Sequence, residues 1–179
     1  MDFDPSSLDS LLERYRPNVG VTLFNRNGDV FLGRRVGDFA DVGETKGDYR
    51  WQMPQGGIDA GEAPVEAAFR ELTEETGVRS ATLLTVTPGW LTYDFPPDYP
   101  KKKWRGQKQK WAALLFTGSD EEIDLNADAH QEFDDWYWAP LETAPDLIVP
   151  FKRHVYEQMV RAFSPLRDFI AALPATAIK

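Results

Sequence analysis

Residues 56–78 read GGIDAGEAPVEAAFRELTEETGV, and the end of that stretch crowds three glutamates, Glu71, Glu74 and Glu75, into five positions. On a helix, 100° per residue puts them on one side at i, i+3 and i+4. Like charges at that spacing repel. Gly77 is the residue type expected just past a helix end, so the glutamates also face the negative end of the helix dipole. Helix energetics alone would not select this arrangement. A bound divalent cation relieves both penalties, and a set of hard carboxylate oxygens suits Mg²⁺ or Mn²⁺.

The flanking residues agree with a site carried on a helix. Pro64 fits a first turn, where its missing N–H costs nothing. Val65, Ala68, Phe69 and Leu72 fall at i, i+3, i+4 and i+7 and form an apolar stripe. The carboxylates lie on the neighbouring face, so the helix packs by one side and presents acid on another. Gly56, Gly57 and Gly61 make a loop ahead of it, where backbone can come close to a metal or a phosphate.

Working outward, Val19, Val21 and Leu23 alternate with smaller or outward positions over 17–24. Asn27-Gly28 is a strong turn signal, so 17–24 and 28–35 read as a hairpin. Residues 36–50 read as a polar loop, 79–95 as one or two strands broken near Pro88-Gly89, and 96–106 as a Pro- and Lys-rich loop. Residues 107–117 read as a strand, 120–132 as an acidic loop, and Trp136–Trp138 as a short strand. Phe151, Val155, Met159 and Phe163 recur at i+4 steps and predict a helix over 151–163, broken by Pro165. With no internal repeat and no long linker, the chain reads as one α/β domain over 15–163. An N-terminal extension (1–14) and a C-terminal tail (164–179) flank it.

The 179 residues, 42% hydrophobic and 13% aromatic, suffice for a single core. The absence of cysteine excludes a disulfide framework, a thiolate zinc site and a cysteine nucleophile. Two histidines, His130 and His154, make a histidine-rich metal site a poor fit. The acidic N-terminus is unlike a signal peptide, and no apolar run approaches the ~18 residues of a membrane span, so the expected location is the cytoplasm, away from membranes. The net charge of −9 argues against general DNA or RNA binding through phosphate neutralisation. A polyanionic substrate then needs a local positive patch.

Such a patch is available. Lys101, Lys102, Lys103, Arg105, Lys108 and Lys110 fall within ten residues. Lys101–Lys103 suit a solvated loop. Lys108 and Lys110 share one face of a strand, with Gln107 and Gln109 on the other. Arg16 and the Arg34-Arg35 pair suit either a phosphate or base grip or surface ion pairs. Phe151, followed by Lys152, suits either the apolar stripe or a base-stacking platform. Glu132 reads as one loop carboxylate among many, although a metal on one helix face needs a ligand from outside it. His130 reads as loop surface.

The 56–78 stretch resembles the Nudix box, G-x5-E-x7-R-E-U-x-E-E-x-G-U, at every fixed position: Gly56, Glu62, Arg70, Glu71, Leu72, Glu74, Glu75, Gly77 and Val78. Further segments run in family order and are similar to the bacterial RNA pyrophosphohydrolase and dinucleoside polyphosphate hydrolase branch of that family. They are Tyr15–Gly20, Gly33–Arg35, Trp51–Gly57, Gly106–Trp111, Glu132–Asp134 and Phe151–Arg153, and Trp90–Asp94 looks like the alphaproteobacterial subgroup. The resemblance implies an α/β/α sandwich with a mixed sheet. It implies metal held by Gly56, Glu71, Glu74, Glu75 and Glu132, with the glutamates catalytic. It also implies phosphate contacts from Arg16, Lys108 and Lys110, and a base held between Arg35 and Phe151, with Gln107 and Lys152 in the same substrate segments. Gly57, Glu62, Arg70 and Gly77 are then structural, Arg70 positioning carboxylates. One departure is Gln131, where the family usually has proline.

The implied reaction is phosphoanhydride hydrolysis on an RNA 5′ end, or alternatively on a dinucleoside polyphosphate. A non-catalytic nucleotide- or RNA-binding module is the third reading, and the intact glutamate set counts against it. If the three glutamates await a metal, Mg²⁺ raises the melting temperature at both low and high salt, and Glu75→Gln shrinks the shift. A melting temperature indifferent to Mg²⁺ would remove the metal site.

Overall fold

β1 (Tyr15–Phe24) is the strand on which the rest is assembled. In the computed structural model, which describes residues 10–37, 49–97, 99 and 103–174, it runs parallel to β7 (Gly106–Phe116) along its whole length, from Tyr15↔Gly106 to Phe24↔Leu115. The other pairings are antiparallel: β1 with β4 (Gln55–Gly57), and β2 (Val30–Arg35) with β3 (Trp51–Gln52) and with β8 (Phe133–Ala139). β5 (Ala81–Val86) and β6 (Leu91–Asp94) each pair with β7. The result is a mixed eight-stranded sheet.

Helix α1 (Pro64–Thr76) covers one face and α3 (Arg153–Ala172) the other, with the four-residue α2 (Ala144–Leu147) beside α3. The period-2 alternation of β7 divides the core between them. Ala112, Leu114 and Phe116 join Val19, Val21, Ala67, Ala68 and Leu72 on the α1 side. Trp111, Ala113 and Leu115 join Val155, Tyr156, Met159 and Phe163 on the α3 side. Two apolar clusters separated by one sheet make the α/β/α sandwich. No helix among the described residues is long and apolar enough to cross a membrane.

Most sequence-read elements appear within a few residues of their expected ends. The hairpin is narrower than expected. Its turn forms, with Gly28 at φ 85° and Asn25 Oδ1 accepting from Asn27 and Asp29 N–H groups. However, β1 and β2 pair in register only at Phe24↔Val30. They then splay, because β4 and β7 occupy the edges of β1 while β3 and β8 occupy those of β2. The expected break at Pro165 is absent: α3 continues to Ala172. Proline removes one backbone bond and crowds the preceding turn. Tertiary packing overrides that cost, since Phe163 and Ile170 are buried in the α3-side core with Leu166 packed against it. Arg167 also pairs with Glu142 at 2.5 Å. The expectations for residues 1–9, for the central part of the 36–50 loop, for Lys101 and Lys102, and for 175–179 lie outside the described residues.

Two glycines on the strands are dictated by aromatic neighbours. A Cβ on Gly20 would lie 2.6 Å from the Trp111 ring, and one on Gly33 would lie 2.4 Å from the Phe133 ring. Phe133 is fully buried and follows Glu132, so Gly33 sets where Glu132 can be held. Gly33→Ala is expected to lower stability by about 1–3 kcal/mol through overpacking. The check is a lower urea midpoint at unchanged m-value; an unchanged midpoint would show that Phe133 can move freely.

Candidate active site

The box helix starts and stops as its sequence requires. Glu66 reaches back to the Ala63 N–H at 3.0 Å, and Gly77, at φ 73°, closes the C-terminus by donating to the Thr73 carbonyl. Between these ends, Glu71 and Glu75 are not presented to solvent as the neighbouring-face reading expected. Both are only about 9% exposed, beside the fully buried Leu72 and Thr76. The reason is the β4 strand laid over them. Gln55 N–H donates to Glu75 at 3.2 Å, and the Glu71 carboxylate occupies the space where any side chain at Gly56 would begin, 1.9 Å from an ideal Cβ. Gly56 is therefore required by Glu71. Tyr156, on α3, accepts from Met53 N–H at 3.1 Å and fixes the segment leading into that strand.

Arg70 organises the acids. Its guanidinium donates five hydrogen bonds: two to Glu62 (2.8 and 2.9 Å), and one each to Glu71 (2.7 Å), Glu74 (3.3 Å) and the Gly57 carbonyl (2.7 Å). Glu62 in turn accepts from the Asp59 N–H at 2.9 Å, which ties the loop to the helix. The bidentate Arg70 contact holds the Glu62 carboxyl down at about 2, and Glu62 above all keeps Arg70 in its charged form.

Glu71 and Glu75 are pushed the other way. Burial raises Glu71 despite the opposing contact with Arg70. Burial, then the nearby charges of Glu132 and Glu71, raises Glu75 well above an ordinary carboxyl. Glu71, Glu74, Glu75, Asp128, His130 and Glu132 line one cavity of about 240 Å³. The four expected metal-binding side chains, Glu71, Glu74, Glu75 and Glu132, are thus brought together, joined by Asp128, which the sequence did not single out. His130 reaches the rim with its imidazole exposed.

The donor set is all hard oxygen apart from His130, which fits a divalent metal such as Mg²⁺ or Mn²⁺. Among the described residues no three of these groups converge on one point. The arginines explain this, because Arg70 holds oxygens of Glu71 and Glu74 and Arg35 holds Glu132 at 2.8 Å. A metal would compete with these arginines for oxygens already drawn into one cavity.

Cations flank the acid. Lys152 is buried, and burial followed by the charge of Arg35 lowers its ammonium to about 7. Its Nζ lies 5.5 Å over the Tyr93 ring, and Phe151 is tilted against the same ring at 5.6 Å. Phe151 is therefore both part of the α3-side packing and a neighbour of the Arg35–Lys152 group. Arg16 lies against the box loop, its Nη2 2.6 Å from where a Gly57 Cβ would be. Gln107 is the register partner of Arg16, beside a buried amide pair in which Gln109 donates to Asn18 at 2.8 Å. Tyr93, Asn18 and Tyr156 escaped the sequence reading, because nothing in a lone polar or aromatic residue on a strand or helix announces its neighbours.

Lys108 and Lys110 are not brought to the carboxylates. As expected from strand alternation they share the face opposite Gln107 and Gln109. Their ammonium groups lie over the Trp90 ring at 5.2 and 5.3 Å, and Lys110 also donates to the Thr87 and Pro88 carbonyls.

The raised Glu75 carboxyl carries a stability consequence for the metal-free protein. A carboxyl whose folded pKa lies above its unfolded value weakens folding at neutral pH, and the penalty disappears as pH falls through the folded pKa towards about 4.5. In EDTA, Glu75→Gln is therefore expected to melt higher than the parent at pH 7–8, with the difference closing below pH 5. A variant that melts lower at pH 7 would show that the ionised carboxylate is stabilising.

The NUDIX domain model matches residues 14–159. A protein from Caulobacter vibrioides named RNA pyrophosphohydrolase is 55% identical over 155 residues, covering 84% of this chain and 86% of its own length. One of the same name from Acidiphilium cryptum is 50% identical, covering 84% and 90%. Among solved structures, the Escherichia coli dihydroneopterin triphosphate pyrophosphohydrolase aligns at TM-score 0.60 with 19% identity, covering 83% of this chain and 98% of that one. A Caenorhabditis elegans Ap4A hydrolase complex aligns at 0.57 with 16% identity, covering 84% and 98%. At those identities the structures speak to the fold. With the box complete and the model spanning most of its length, the chain belongs to the Nudix family.

Proposed function

We propose that the protein is an RNA 5′ pyrophosphohydrolase that uses Mg²⁺ or Mn²⁺ to convert a triphosphate or diphosphate 5′ end to a monophosphate. The observation that carries this reading is the pairing of an acid cavity, lined by Glu71, Glu74, Glu75 and Glu132, with the cations Arg35, Lys152 and Arg16 nearby. A polyphosphate bound through a metal needs both. The names of the alphaproteobacterial relatives support the RNA end as the substrate.

The reaction is hydrolysis. Water attacks phosphorus, a P–O–P bond breaks, and the leaving phosphate carries the electron pair while the proton of the water passes to a nearby base. A bound divalent metal supplies positive charge against the phosphoryl oxygens and acidifies water. The chain supplies position. Arg70 holds Glu71 and Glu74 in place, Gln55 holds Glu75, and Arg35 holds Glu132. Arg35 would meet a base with its planar cation, with Phe151 as the apolar partner. Arg16 and Lys152 meet phosphate charge, and phosphate bound near Lys152 keeps it protonated at neutral pH. No serine or cysteine nucleophile is required.

The test is kcat/KM in Mg²⁺ for triphosphate-ended RNA beside diadenosine tetraphosphate, with Glu75→Gln as the control. The RNA is expected to be the better substrate, and Glu75→Gln to lower kcat by about 1000-fold, the scale of a group acting on the transition state. A preference for the dinucleotide would make the protein a nucleotide-clearing hydrolase. Turnover of neither would leave a binding module on the same fold.

A further inference from the structure

Beyond the acid cavity, the starts of β1 and β7 enclose a second, solvent-facing cavity of about 350 Å³, lined by Glu13, Arg14, Lys103, Trp104 and Arg105. The two strand starts are tied together there by the Arg105 N–H donating to the Arg14 carbonyl at 3.0 Å. Three cations and one carboxylate meet an indole in a protein of net charge −9. Lys103 Nζ lies 5.1 Å over the Trp104 ring, and the Arg105 guanidinium lies 5.7 Å over Tyr15 while pairing with Asp94 at 2.8 Å. Aromatic rings beside cations are the composition of a single-strand nucleic-acid track, in which bases stack on the rings and the cations follow the backbone.

The track adjoins the 5′-end site. Arg14 and Arg105 precede the register pair Arg16↔Gln107 by two residues, about 7 Å of strand. We propose that this cavity receives the RNA nucleotides downstream of the processed 5′ end. A base stacks on Trp104, and Lys103 moves from the indole to a backbone phosphate. The inference rests on the RNA reading above and adds a substrate-length dependence that the acid cavity alone does not give.

The experiment compares KM for a triphosphate-ended dinucleotide and for a triphosphate-ended RNA of about 12 nucleotides with the same 5′ sequence, within the site size of single-strand grooves. It uses the full chain as wild type, Lys103→Ala, Trp104→Ala and Trp104→Phe. The longer RNA is expected to have a KM lower by roughly tenfold, the scale of one stacked base. Trp104→Ala removes most of that advantage and Trp104→Phe restores it, while the dinucleotide is turned over as in wild type. Lys103→Ala flattens the salt dependence for the longer RNA by about 0.7 in log–log slope, one phosphate contact. No length advantage in wild type, or an advantage that survives both alanine variants, overturns the proposal. If triphosphate RNA is not a substrate at all, the activity reading has failed separately. Fluorescence anisotropy with a labelled monophosphate-ended RNA of the same length then decides the track: binding that Lys103→Ala and Trp104→Ala weaken supports it, and no binding overturns it.

Discussion

One guanidinium holds the functional end of this molecule together. Arg70 grips both oxygens of Glu62, one oxygen each of Glu71 and Glu74, and the Gly57 carbonyl. It thus joins the loop before the helix, the helix itself and the strand packed across it. Only arginine offers a planar fork with five donors, and a lysine at the same place could satisfy one or two of these acceptors. Without that fork, a Glu71 carboxylate pressed against Gly56 and a Glu62 tied to Asp59 have no shared partner. The loop that carries Gln55 to Glu75 then loses its anchor.

Electrostatic cost and function are coupled through the same residues. Burial disfavours the charged forms of Glu71, Glu75 and Lys152, each moved towards neutrality by its surroundings. A fold selected for stability alone would not bury two acids and a lysine side by side. The core on either side of the sheet, with Trp111 and Tyr156 packed at 5.1 Å on one face and Leu72 with Ala68 on the other, provides the rigidity that keeps them there. In the proposed reaction, metal and polyphosphate would supply opposite charges that offset the cost of burying these groups.

The sequence carried the box helix almost whole, because its signals are local: Pro64 at the start, Gly77 at the end, the i, i+3, i+4 stripe, and glutamates that repel unless something binds them. Glu132 and Arg35 were legible only through resemblance, since their meeting depends on β8 pairing with β2, a contact across about a hundred residues. Local reasoning failed in two instructive places. Pro165 breaks isolated helices, but burial of Phe163 and Ile170 holds α3 together around it. Strand alternation correctly separated Lys108 and Lys110 from Gln107 and Gln109. It could not say which pair looks towards the acids, because that depends on Gln109 reaching Gln55, whose N–H donates to Glu75, a meeting of distant segments.

The central claim is that Arg70 arranges the carboxylates for a divalent metal. Mn²⁺ binding, followed by electron paramagnetic resonance in the wild type and in Arg70→Lys, tests it most directly, because the substitution keeps the charge and removes the fork. The account predicts a folded variant with Mn²⁺ affinity weaker by about 10- to 100-fold, the range seen when a residue orienting metal ligands is lost. Equal affinity in a folded Arg70→Lys would contradict it, and would mean that the carboxylates find the metal without Arg70.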